Sequence, residues 1–113
     1  MKEILAKSLL NKIERLEAFE ERLSVRFENI SVKVDSYGWV HIFLELHSNA
    51  GTSISQRMQI ECIAYDIEGL ILETTWARVY ENDFFGFEVL TFHFQENDIA
   101  DKINKIRIYP KTY

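Results

Sequence analysis

"WVHIFLELH", residues 39–47, alternates without a break: Val40, Ile42, Leu44 and Leu46 share one parity, and Trp39, His41, Phe43, Glu45 and His47 share the other. Successive side chains of a strand point to opposite faces, so this period of two describes a strand with one face on a core and one toward water. Turn chemistry bounds it on both sides, "DSYG" at 35–38 and the loop-like "SNAGTSIS" at 48–55.

The same period continues outward. Upstream, "SVRFENISVKV" puts Val25 and Phe27 on one parity and Ile30, Val32 and Val34 on the other, which requires a bulge or tight turn at Glu28-Asn29. Downstream, "QRMQIECIAYD" turns Met58, Ile60, Cys62 and Ala64 inward. "YDIEGLIL" then places Asp66 first and Gly69 fourth, a type I turn with glycine in the left-handed region that makes a hairpin. Further strands are expected from Leu70 to about Tyr80, from Phe85 to Phe94, and over "KIRIYP", which Pro110 ends.

Residues 3–23 have a different period. They contain no Gly or Pro, and Leu5, Leu9, Ile13, Leu16, Phe19 and Leu23 recur at steps of three and four, so they read as one amphipathic helix. Lys12 and Glu20 lie at the margins of its apolar stripe and are expected to snorkel. The stripe either docks on the chain's own sheets or pairs with a second copy as a homodimer.

No strand pattern is interrupted by helical periodicity, so parallel βαβ units are not expected. The fold class is all-β with an N-terminal helix: an antiparallel immunoglobulin-like β-sandwich of six or seven strands, with the helix at 1–23 and the sandwich domain at 24–113.

"CIAYDIEGLILET", residues 62–74, resembles the strand-turn-strand of bacterial immunoglobulin-like sandwich domains of the FxLYD type. Tyr65, Asp66 and Gly69 match, while Cys62 and Ala64 stand where the motif has Phe and Leu. The ending "KIRIYPK", residues 105–111, is similar to the last strand of small bacterial sandwich proteins. The resemblance implies a sandwich fold with a non-catalytic binding or structural role.

Composition narrows the function. A chain of 113 residues, 47% hydrophobic, supports one core that removes roughly two thirds of the unfolded surface from water. A net charge of -5 argues against nucleic-acid binding, which needs a basic face. No apolar run approaches the roughly 20 residues of a membrane span, and no secretory pattern opens the chain. The lone Cys62 in an apolar run fits a buried thiol in the cytoplasm.

Catalytic, cofactor and metal signatures are not found. His41 and His47 would be ~20 Å apart along one strand, too far to share an ion, and His93 could add a ligand beside Glu45 and His47 only from an adjacent strand. Cys62 reads as structural, no elbow surrounds Ser48, Ser53 or Ser55, and the four glycines are isolated. Two Glu-Asn-Asp loops, at 81–83 and 96–98, read as turns, with Asp98 capping a short helix. Lys105, Arg107, Tyr109 and Lys111 read as the wet side of an edge strand.

The surfaces left for a partner are the helix stripe and the aromatic run "NDFFGFEVLTFHF", residues 82–94. There the apolar face is expected to switch near Glu88 at Gly86. Phe84, Phe85 and Phe87, beside Trp76 or Tyr80, would then either close one end of the sandwich or form an exposed patch. The expected function is a non-enzymatic protein-interaction module; the alternative is a small acidic inhibitor or immunity-type protein directed at a basic enzyme or nucleic-acid-binding protein.

Overall fold

A computed structural model describes residues 2–113 of the chain. The elements run α1 (Lys2–Leu10), β1 (Ile13–Arg15), α2 (Glu17–Arg22), β2 (Val25–Val34), β3 (Val40–Ser48), β4 (Met58–Tyr65), β5 (Ile71–Val79), β6 (Phe87–Phe94), α3 (Ile99–Lys102) and β7 (Lys105–Thr112). Among the described residues the strands form a four-stranded sheet, β1-β7-β4-β5, and a three-stranded sheet, β2-β3-β6.

The core lies between the two sheets, where the inward parity of each strand meets. Val40, Ile42, Leu44 and Leu46 of β3 and Met58, Ile60, Cys62 and Ala64 of β4 are buried, as the two-residue period requires. Phe27, Phe92 and Phe94 supply the largest side chains. Asn29, at a positive φ of 54°, sits in the register shift between Glu28 and Ser31 and hands the apolar parity of β2 from Phe27 to Ile30. Ile30, Val32 and Val34 are thereby turned toward the core, and α1 packs on this strand.

"DSYG" and "DIEG" close their hairpins in the same way. Asp35 Oδ1 accepts from the Tyr37 and Trp39 N–H groups, and Asp66 Oδ1 accepts from those of Glu68 and Leu70. Gly38 and Gly69 take the left-handed backbone at φ 77° and 85°.

Residues 3–23 are not one helix. The helix ends at Leu10, Ile13–Arg15 run parallel to Ile106–Ile108 of β7, and a second helix starts at Glu17. Helix propensity is a weak preference that tertiary pairing overrides. Left helical, residues 13–15 would expose the backbone edge of β7, so a three-residue strand covers that edge instead. Its pairing is the one parallel ladder among the described residues. Residues 2–23 thus pack into the sandwich formed with 24–113, and Leu9 and Leu23 belong to the common core. Asp98 does not cap α3 with its side chain; it takes a left-handed backbone at φ 59°.

Glu20 is buried rather than snorkelling. Its carboxylate accepts from Arg15 Nη2 at 2.6 Å and Nε at 3.2 Å, and from the Phe27 N–H at 3.1 Å. β2 is a sheet edge, so this N–H faces away from β3 and has no strand to bond. Arg15 is partly solvated, which limits the worth of the ion pair, but an abandoned, buried Phe27 N–H costs its desolvation. Glu20→Ala is therefore expected to lower stability by about 2 kcal/mol in chemical denaturation; a loss below about 0.5 kcal/mol would show that water replaces the carboxylate. No helix among the described residues is long and apolar enough to cross a membrane.

Candidate functional site

All three histidines stand on the outer face of the β2-β3-β6 sheet. Antiparallel pairing sets Lys33, His41 and His93 in one row, Ser31, Phe43 and Thr91 in the next, and Arg26, His47 and Phe87 toward the far end. His93 therefore lies opposite His41, not beside His47. His41 Nδ1 is 2.7 Å from His93 Nδ1, and His41 Nε2 is 2.9 Å from Asp35 Oδ2. Desolvation pushes the Asp35 carboxyl up, but hydrogen bonds from His41 and from the Trp39 and Tyr37 N–H groups outweigh it and hold the group below the usual range.

At the other end of the face, His47 Nε2 lies 2.7 Å from Glu45 Oε1, which also accepts from Asn29 Nδ2 at 3.0 Å. Those bonds, His47 first, lower the Glu45 pKa. The His47 ring stacks on Phe87 with centroids 5.0 Å apart. Among the described residues, no group of three or more His, Cys, Asp or Glu side chains is arranged to hold a metal ion.

Cys62 is fully buried, and desolvation, with the nearby Glu61 charge, pushes its thiol well above the usual range, so it stays protonated and out of reach. Ser48 is also buried, donating to the Ser53 carbonyl and accepting from the Ala50 N–H, which ties its loop in place.

The nine residues expected to meet a partner divide. Leu9, Leu23 and Phe84 are interior, and Leu5 and Ile13 pack against the core. Leu16 is half-buried at the start of α2. Phe19 meets Tyr109 edge-to-face at 5.4 Å, with Arg22 over its ring. Most of the stripe is thus spent on the chain's own sandwich. Phe85 and Phe87 remain, 79% and 51% exposed, and Val89 joins them at 57%.

The apolar face of β6 does not switch at Glu88. Leu90, Phe92 and Phe94 point inward, while Phe87 and Val89 share the outer parity with Thr91 and His93. Gly86 instead precedes the strand at φ 84°, its N–H bonded to the Thr52 carbonyl and its carbonyl to the Ser48 N–H. Trp76 is not a neighbour of this cluster: it lies on β5 in the other sheet, under the Arg78 guanidinium. β7 is no edge strand either, since β1 and β4 flank it. Its cations are engaged, Arg107 by Glu14 at 2.8 Å and Lys111 by Glu61 at 3.7 Å.

No family model and no curated protein matches the sequence. Two solved structures are similar: Campylobacter jejuni cj0090, with a TM-score of 0.52 at 13% identity over 91% of this chain and 99% of that one, and a DUF1425 family member from Shewanella sp. pv-4, with a TM-score of 0.53 at 14% identity over 79% of this chain and 78% of that one. Identity this low establishes a shared β-rich sandwich architecture and nothing finer.

Proposed function

We propose that the chain is a non-enzymatic protein-binding module of the cytoplasm that holds its partner at the Phe85, Phe87 and Val89 end of the β2-β3-β6 face. The observation that carries this reading is the exposure of Phe87 and Val89, at alternate positions on the outer face of the edge strand β6, with exposed Phe85 just before that strand. Single exposed apolar residues are ordinary, whereas contiguous ones mark surfaces that another molecule covers. The occupant is an apolar protein segment: Phe87 and Val89 stand ~7 Å apart along one strand face, and the polar row of His41 and His93 beyond them forms a rim. A sandwich of the FxLYD type, as Tyr65, Asp66 and Gly69 suggest, suits this role.

Capture from the native host tests the proposal. Wild type and a Trp76→Ser control, exposed to the same degree on the other sheet, should retain a common partner, and Phe85→Ser/Phe87→Ser should lose it by roughly tenfold or more. Equal retention by all three would overturn the assignment. Retention should also survive raised ionic strength; a steep loss would instead favour an acidic inhibitor acting through charge.

A further inference from the structure

We propose that His41 and His93 form a two-imidazole site for a borderline divalent transition-metal ion, copper(II) foremost, with Asp35 as the residue that positions His41. The register puts the two histidines directly opposite each other on β3 and β6, with both Nδ1 atoms face to face at 2.7 Å.

The proton arrangement follows from Asp35. An ionised carboxylate can only accept, so the contact between Asp35 Oδ2 and His41 Nε2 at 2.9 Å places the ring proton on Nε2. In the neutral form of His41, Nδ1 is then a lone pair aimed at His93. Against that form, the 2.7 Å contact is a hydrogen bond when His93 carries its proton on Nδ1. With the His93 proton moved to Nε2, both Nδ1 lone pairs face a shared point. Asp35 is itself fixed, because its Oδ1 accepts from two backbone N–H groups of the turn. A carboxylate behind a ligating imidazole, setting its tautomer and orientation, is the arrangement that strengthens metal-binding histidines.

The bite is also suitable. Two nitrogens at ~2.0–2.1 Å from one ion, in neighbouring corners of a square plane, lie about 2.9 Å apart, so the rings need to separate by a few tenths of an ångström and to tilt by about 45° until both lone pairs converge on the ion. Imidazole ligands and tetragonal geometry favour copper(II), which also leads the divalent affinity order. His93 is exposed and His41 partly so, leaving the remaining coordination positions to water. The nearest competing cation, Lys33 of β2 in the same row, lies with its ammonium 5.6 Å from the Phe43 ring centroid. His47 offers no equivalent, since Glu45 and Phe87 already occupy it and no second histidine faces it.

Titration of the intact chain with copper(II) alone, followed by calorimetry and electron paramagnetic resonance, tests the site. One ion per chain with coupling to two nitrogens is expected. His41→Ala and His93→Ala should each weaken binding at least tenfold and remove one nitrogen from the spectrum, while His47→Ala changes neither. Asp35→Asn, which keeps an acceptor for the turn, should weaken binding by roughly 10–100-fold. It should also shift the metal-free His41 nitrogen resonances away from the Nε2–H form, a signature that a merely structural role would leave in place. Absence of stoichiometric binding, binding that survives His93→Ala, or binding lost with His47→Ala would each overturn the proposal; an Asp35→Asn variant with unchanged affinity and tautomer would remove Asp35 from it.

Discussion

Gly38→Ala is expected to destabilise the chain by about 3 kcal/mol, adding a left-handed backbone penalty to a steric one. At φ 77°, a Cβ on residue 38 would lie 2.7 Å from Asp98 Cα and 2.8 Å from Asp98 N, both backbone atoms that cannot swing aside. The loop it strikes is stitched to the turn: the Asp98 N–H bonds the Tyr37 carbonyl at 2.9 Å, the Ala100 N–H bonds the Gly38 carbonyl at 3.1 Å, and Trp39 Nε1 donates to Asn97 Oδ1 at 2.8 Å. Gly69, in the matching Asp-x-x-Gly turn at φ 85°, has nothing within 4 Å of the same Cβ position. Gly69→Ala should therefore lose only the backbone term, about 1 kcal/mol. Chemical denaturation of the two variants separates the terms, and equal losses would show that the loop at Asp98 yields without cost.

Removing residues 1–23 should abolish cooperative folding. Leu9 and Leu23 are buried in the shared core, and losing a buried leucine side chain typically costs about 2–5 kcal/mol. The same deletion strips β1 from the edge of β7 and takes the Glu20 carboxylate from the Phe27 N–H. These losses together approach the ~5–15 kcal/mol that holds a domain folded. Circular dichroism with a thermal scan decides: an unfolded chain is expected, and a truncated chain that melts cooperatively would contradict the placement of this segment inside the sandwich.

The sandwich was legible because it is written in local signals. Unbroken alternation in Trp39–His47 and Met58–Ala64, the parity change at Asn29, and two Asp-x-x-Gly turns each depend on neighbours within a few residues. What escaped depends on contacts distant in sequence. Nothing between Asn11 and Leu16 announces a strand, because Ile13–Arg15 become one only in the presence of Ile106–Ile108. Glu20 falls at the margin of a helical stripe, and its burial follows from the empty N–H of an edge strand folded against it. β7 looked like an edge on account of its lysines and Pro110, but β1 covers it.

The candidate surface was half legible. Phe85 and Phe87 stood out by composition, whereas Phe84 differs from them only in packing inward. Val89 shares the outward parity of Phe87, a relation visible in the alternation of the sequence itself. The His41–His93 pair was beyond single-strand periodicity: it needs β3 and β6 to be neighbours, and it needs their register, since a slip of one residue would turn His93 toward the core.

The most direct test of the account is hydrogen exchange on the chain with and without its captured partner. Protection on binding is expected at Phe85–Thr91 and at the facing end of β3 around Glu45–His47, with β7 and residues 2–22 unchanged. Protection confined to α1, α2 or the outer face of β7, with β6 unaltered, would contradict it.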